Sequence, residues 1–371
     1  MSPKYLHIVS FNVPDPPDYG GVIDIYYKVK ALKEAGIHVI LHCFTYGRQP
    51  SKELEEMCLR VYYYPRLSGI RYFLRSTPYI IATRTSKSMP ENLLGDSFPV
   101  LFEGLHSTSV LGMCVRARKK VLIRTHNIEH RYYHFLSVSE KNLFRKIFFR
   151  LEARKLERYE RVLDHADQIL AIAGHETEYF NQRYPPALFV PAFHKFDRVS
   201  CPTGSGDYLL FHGNLSVPEN SKAFMDLART VFSRISYPVI VAGKAPPASL
   251  IRRAAEDPHI TVVPDPDEEQ MENLIRNAHI HLLHTAQTTG IKLKLMHALY
   301  AGRHCLVNRA MIQGTGLAHL CHLGDTAEET LRKVDELMNT PFTEDQLGIR
   351  KKTLSEYSNR VSAEKIIRLL G

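Results

Sequence analysis

The 371-residue chain has no apolar run of 18 residues, so nothing in it reads as a membrane-spanning helix. Its six cysteines (Cys43, Cys58, Cys114, Cys201, Cys305 and Cys321) form no CxxC pair and no metal-type spacing. Reduced thiols in a cytoplasmic protein are the expectation. Low-complexity tracts are missing too, and 44% apolar with 23% charged residues is the make-up of a globular protein. The opening MSPK leads into a strand pattern where a signal peptide would have a charged and then apolar stretch, so no leader is expected. No GxGxxG follows the first strand pattern, which removes support for a dinucleotide fold. HNIEH at residues 126–130 is not HExxH, because its glutamate is third after the first histidine. His126, His130 and His134 nevertheless fall at i, i+4 and i+8, as helical metal ligands can. A metal site is not expected from them, and no nucleic-acid module is present.

What is there is positive charge, unevenly placed. The net charge is +9; residues 1–200 hold 29 Lys and Arg against 20 Asp and Glu, and residues 201–371 hold 19 of each. A basic first half suits a polyanion or an anionic membrane surface.

Short apolar runs alternate with helical patterns in two series. The first contains residues 5–11 (YLHIVSF), 37–44 (IHVILHCF), 100–102, 121–125, 169–172 and 188–190, with one long helix expected over 139–166. The second contains residues 208–211, 239–242, 260–263, 280–283 and 305–307. Strands alternating with helices imply parallel sheets with helical crossovers. The polar, turn-rich residues 193–207 separate the series and read as a hinge. The expectation is an α/β protein of two doubly wound domains facing a cleft, with boundaries at 1–195 and 206–354. Ligands in such sheets bind beyond the carboxyl ends of the strands, so motifs there matter most.

Seven motifs fall at those ends. NVPDPPDYGG (12–21) is a rigid loop closing on Gly20 and Gly21. Glu103 and His106 follow one buried run; His126, Asn127 and Glu129 follow another. In the second series Gly213 and Asn214 turn the chain toward Lys222, and Lys244 follows a further strand. Asp265 and Asp267 imitate the DxD of metal-dependent sugar transferases, but Asp267 before two glutamates is better read as a helix cap. Last comes TTGIKLKLMHAL (288–299). Lysines in the first turn of a helix oppose its macrodipole unless an anion sits there. Gly290, Ile291, Lys292 and Lys294 therefore read as a diphosphate seat, with His297 on the same face as Lys294.

In this order, the GG loop, FEGLH, RTHNIEHRYY, FHGNLSVPEN, VAGK and GIKLKLMHALYAGR resemble the GT-B glycosyltransferases, in particular the large retaining group of bacterial enzymes (family 4, group 1). The resemblance runs from residue 5 to the final helices. It implies two Rossmann-like domains, an acceptor side in the first, a nucleotide-sugar site in the second, and a C-terminal helix (about 355–371) returning to the first domain. It implies that Gly20 and Gly21 approach the sugar phosphate and that His126 lies near the reacting sugar; His126 and Glu103 are the catalytic candidates. Donor contacts would come from Gly213, Asn214, Lys222, Lys244 and the 290–297 segment, and acceptor-side contacts from His106, Asn127 and Glu129. The sequence departs from that pattern where two glutamates and an arginine are usual; Thr289, His297 and Asn214 stand there.

The resulting expectation is a retaining, metal-independent glycosyltransferase of bacterial cell-surface polysaccharide synthesis, taking a UDP- or GDP-sugar and needing no cofactor. Its acceptor would be a glycan or a lipid-linked molecule. The alternative is a non-catalytic GT-B protein that binds a sugar nucleotide or a partner enzyme. Arg66, Arg71, Arg75 and Arg84 interleave with tyrosines over 62–87, and residues 141–161 hold eight basic side chains. Both suit a peripheral association with the inner face of a membrane.

Overall fold

The computed structural model describes residues 4–286 and 292–371. The chain divides into two compact units, residues 4–195 with 357–371, and residues 196–286 with 292–356. Gly290 and Ile291 lie outside the described residues.

The first unit holds seven strands: β1 (Lys4–Ser10), β2 (Ile37–Thr45), β3 (Arg60–Pro65), β4 (Val100–Glu103), β5 (Val121–Thr125), β6 (Gln168–Ala171) and β7 (Ala187–Phe189). All pair in parallel, in the order β3-β2-β1-β4-β5-β6-β7. The second unit holds β8 (Leu209–His212), β9 (Val239–Gly243), β10 (Ile260–Pro264), β11 (Ile280–Leu283), β12 (His304–Val307) and β13 (His322–Leu323). These are parallel too, in the order β10-β9-β8-β11-β12-β13. Strands buried on both faces need continuous apolar runs, which is why β4, β5, β8, β11 and β12 are buried at every position. In each unit the strand order reverses once, beside β1 and beside β8. These switch points are where such sheets bind ligands.

Two elements differ from the sequence reading. RVYYYP is the edge strand β3, only half-buried along most of its length, so its aromatic run lacks the apolar signature of its neighbours. The helix expected over 139–166 is shorter: it spans Leu143–Tyr159 and runs into a 3-10 turn over Glu160–His165, while a separate helix, Glu129–Ser139, precedes it. Asn142 starts the Leu143–Tyr159 helix by accepting from the Arg145 amide at 3.1 Å, an N-cap that ends any continuity.

The helix Asn359–Arg368 belongs to the first unit. Ala363 and Ile366 enter the core that holds Val29 and Leu32 of the helix Gly20–Glu34. Asn359 clamps the backbone of His194 from both sides, accepting from its amide (3.0 Å) and donating to its carbonyl (2.7 Å).

Candidate active site

At the β1/β4 switch point of the first unit, four fully buried charges are laid against one another. Asp24 and Lys28 sit one turn apart on the helix Gly20–Glu34, Glu103 ends β4, and Arg124 comes from β5. Lys28 Nζ donates to Asp24 Oδ2 at 2.9 Å and to Glu103 Oε1 at 2.6 Å. Arg124 binds both Asp24 oxygens, at 2.9 and 3.2 Å, and donates to the carbonyls of Val190 and Pro191. Burial alone would raise the Asp24 carboxyl; Arg124 and Lys28 instead hold it well below the usual range. The sum of these charges is zero. This is the condition under which a buried ionic cluster is tolerated.

The fifth member is His126, just past β5. Its Nε2 lies 3.0 Å from Glu103 Oε2. Glu103 is kept below the usual range, against burial, by Lys28 and by its hydrogen bond with His126, so Nε2 is the atom that donates to it. Glu103 has no exposed surface and both its oxygens are engaged, so any action it has on a bound molecule passes through His126. Ligating atoms of Asp24, Glu103 and His126 lie within 4.8 Å of one another, a spacing that could suit a metal ion. The donor set does not fit one, because Lys28 and Arg124 already supply its countercharges.

Above this base lies a set of buried polar atoms with nothing to bond. Among the described residues, His126 Nδ1, His106 Nδ1, Asn127 Oδ1 and Glu129 Oε1 are buried without a hydrogen-bond partner, with His106 Nδ1 facing Glu129 Oε1 at 3.9 Å. Phe11 fixes both histidines, its ring 5.2 Å from that of His106 and edge-on to His126 at 5.6 Å. Gly21 explains the ring's position: a Cβ there would stand 2.6 Å from the Phe11 ring edge. Gly20 and Gly21 thus form the first turn of their helix, with Phe11 laid across it. Glu129 is pushed up to about 8, first by burial and next by the charge of Glu160, so it holds its proton at neutral pH. Burial and the Arg84 charge drive His106 well below the ordinary histidine range. The site is therefore rich in neutral acceptors. Buried polar groups ordinarily find partners, and four orphans in one place mark a site for a ligand's hydroxyls. His130 turns instead toward Glu160 (3.5 Å) and His134 is exposed, so the i, i+4, i+8 histidines do not converge.

In the second unit the β8/β11 switch point is organised around Lys294. Its helix spans Leu293–Ala301 with Lys292 at the N-cap position, and no side chain caps it. Lys294 Nζ donates to Asn220 Oδ1 at 3.0 Å and to the His284 carbonyl at 3.4 Å. Burial pushes its ammonium down to about 8, with the Glu219 charge partly opposing. Asn220 is the connector, because its Nδ2 also holds the Asn214 carbonyl at 2.8 Å. The Gly213–Asn214 turn and Lys294 are thereby joined through a residue that the sequence reading had not singled out. Asn214 itself closes its turn by accepting from the Ser216 amide and hydroxyl. Gly243, at the end of β9, has no room for a side chain, since a Cβ would fall 1.8 Å from the Gly213 carbonyl oxygen.

The remaining expected donor residues are placed differently. Lys222 is exposed and pairs with Asp226 one turn on, at 2.9 Å. Lys244 is exposed as well, and its carbonyl receives the Leu215 and Ser216 amides. His297 lies one turn from Lys294 but is held by Glu272, Nε2 to Oε2 at 2.7 Å, and sits edge-on to His212 at 6.3 Å. Asp267 is an N-cap in a capping box, as its acidic context suggested.

No family model matches the chain. A Klebsiella pneumoniae relative, named as an uncharacterized 44.6 kDa protein in the cps region, is 25% identical over 337 residues, 84% of each chain. Among solved structures, a glycosyltransferase from Rickettsia africae superposes with a TM-score of 0.67 at 12% identity, covering 100% of this chain and 98% of its own. Sucrose-phosphate synthase from Thermosynechococcus elongatus gives 0.68 at 14% identity, covering 99% and 98%. Arabidopsis thaliana UGT89C1, complexed with UDP, gives 0.58 at 10% identity, covering 99% of both chains.

Proposed function

The chain has the GT-B fold, and from that premise we propose that it is a glycosyltransferase of polysaccharide synthesis. It moves a sugar from a nucleotide-sugar donor to a glycan or lipid-linked acceptor, and retains the anomeric configuration. One observation carries this reading: Lys294, a half-buried ammonium at a sheet switch point whose hydrogen bonds, among the described residues, go to the neutral oxygens of Asn220 and His284. A nucleoside diphosphate would supply the balance of negative charge. The uncapped amides of the helix starting at Leu293 point the same way as the lysine's charge. The cps-region relative and the UDP carried by the plant neighbour support the reading.

Chemically, Lys294 and the amides stabilise charge that develops on the leaving diphosphate. This needs no metal ion. His126, held by Glu103 on the Nε2 side, offers Nδ1 to a sugar hydroxyl, and His106, Asn127 and Glu129 take further hydroxyls of sugar or acceptor. His297 with Glu272 presents an imidazole–carboxylate pair suited to the ribose diol.

The direct test is incubation with a panel of nucleotide sugars, followed by detection of free nucleoside diphosphate and of a sugar-bearing acceptor. Release from one donor, with EDTA present, is the expected result. Tight binding of UDP or GDP with no turnover for any donor would favour the non-catalytic alternative, which the threonine and histidine at the usual glutamate positions recommend. Binding that disappears on chelation would overturn the metal-free mechanism.

A further inference from the structure

The first unit carries an apolar surface that the transferase reading leaves unused. Phe144 is 84% exposed, Leu74 75%, Ile70 72% and Leu143 66%, with Ile147 half-exposed beside them. They come from two short stretches, residues 70–74 and the first turns of the helix Leu143–Tyr159. Between these runs a groove of about 500 Å³, walled by Ile70, Phe73, Tyr79, Phe144, Ile147 and Phe148. Lys155 pins the stretches together, its Nζ bonded to the Phe73 carbonyl and 4.5 Å above the Phe73 ring. Apolar side chains exposed together to this degree mark an interaction surface.

The charge around the patch says what covers it. Residues 57–90 contain six Lys or Arg and no Asp or Glu; residues 141–151 contain four and none. Arg71, Arg75, Lys141, Arg145, Lys146 and Arg150 are all exposed. Arg71 and Arg75 lie against the Tyr72 ring, at 4.8 and 5.0 Å, and Arg71 also donates to the Tyr72 hydroxyl at 2.9 Å. A protein partner would have to answer a wholly one-signed rim with a ring of carboxylates around an apolar recess. A bilayer leaflet with anionic headgroups over acyl chains offers both layers at once. Long basic side chains reach headgroups while their stems lie along apolar surface.

We propose that residues 70–74 and 143–151 form a docking surface for an anionic lipid bilayer, with Phe144, Ile70 and Leu74 entering the interface and the surrounding Arg and Lys engaging the headgroups. This goes beyond the transferase reading and does not depend on it. No nucleotide is needed to observe it.

The chain has no tryptophan, so Phe144→Trp creates a single reporter at the tip of the patch. With vesicles of phosphatidylglycerol and phosphatidylcholine at low salt, its emission should shift to the blue and be quenched by brominated acyl chains. Phosphatidylcholine alone should produce neither effect. The pair Phe144→Glu and Ile70→Glu should weaken co-sedimentation of the otherwise wild-type chain at least tenfold with an unchanged melting temperature, since both positions are exposed. Raising salt should weaken the wild type steeply. An unshifted tryptophan spectrum on anionic vesicles at low salt would overturn the proposal. So would a concentration-dependent dimer that the two glutamates abolish, because a second copy would then own the surface.

Discussion

In the first unit two buried carboxylates, Asp24 and Glu103, are matched by Lys28 and Arg124; in the second a half-buried ammonium, Lys294, has neutral oxygens for hydrogen-bond partners among the described residues. Both arrangements sit at the switch point of a parallel sheet, so topology alone does not separate them. Charge balance does. A neutral cluster with every arm engaged is complete and serves to hold something else in place, here His126 on Glu103. Lys294, half-buried and only partly compensated by the Glu219 charge, keeps positive charge that an anion would take up.

The comparison is broken most severely by unbalancing the first unit. Lys28→Met leaves Asp24 to Arg124 and Glu103 to His126, one buried charge short of balance, and should cost about 3–5 kcal/mol of stability, the usual penalty for stranding a buried charge. Denaturant melts would measure it. Lys294→Ala should do the reverse. It removes a poorly solvated charge, so the fold should be no less stable, while UDP or GDP affinity by calorimetry falls by about 1.5–3 kcal/mol, the worth of a charge-assisted phosphate contact. Unchanged affinity in that variant would remove the diphosphate seat from the second unit.

These two sites were legible to different degrees. Both sheets could be read from apolar runs, because buried parallel strands leave an uninterrupted signature. The edge strand β3 lacked it. Lys294 and His126 stood out because each broke or ended a local pattern. Asp24 and Lys28 did offer a signal, an acid and a base four residues apart inside the apolar stripe of Val22, Ile25 and Val29. Their partners could not be seen, since Glu103 and Arg124 arrive from strands 75 and 100 residues further on. Asn220 gave no signal at all; an asparagine in a first helical turn is ordinary, and only the fold brings Lys294 onto it.

Acid and base act on both units through buried titratable groups. Glu129 is raised to about 8 from an ordinary 4.5, so between those values the unfolded chain has lost a proton that the folded chain keeps. Its contribution therefore declines as pH rises. Glu129→Gln removes the decline, and the variant should gain on wild type by roughly 1 kcal/mol per pH unit between pH 5 and 7. A constant difference across that range would place Glu129 in the ionised form. In the second unit burial lowers His281 to about 3 and His284 and His304 to about 4. There the unfolded chain gains protons first as pH falls below 6.5, so this unit should lose stability in acid. Burial lowers His7, His42 and His106 of the first unit in the same way, so fluorine-labelled tyrosines, one in each unit, should report both destabilised at pH 5 relative to pH 7.

The smallest expected effect sharpens the comparison most cheaply. Lys222 shares its unit with Lys294 and was also a donor-site candidate by sequence, a lysine on the helix beyond the Gly213 turn. Its ammonium is 77% exposed and bonded to Asp226, itself half-exposed, in an i, i+4 pair. Such pairs are worth about 0.3–0.5 kcal/mol because water screens them and two long side chains lose freedom to make them. Nothing dehydrates this lysine, so an approaching phosphate would meet a charge already satisfied by solvent and by its neighbour. Lys222→Ala should leave the melting temperature almost unmoved and nucleoside diphosphate affinity within twofold of wild type. Two lysines of one charge in one unit would then differ several-fold in function through burial alone. Should the two variants lose affinity equally, burial is not what selects the phosphate ligand, and the contrast drawn between Lys294 and the balanced cluster of the first unit loses its basis.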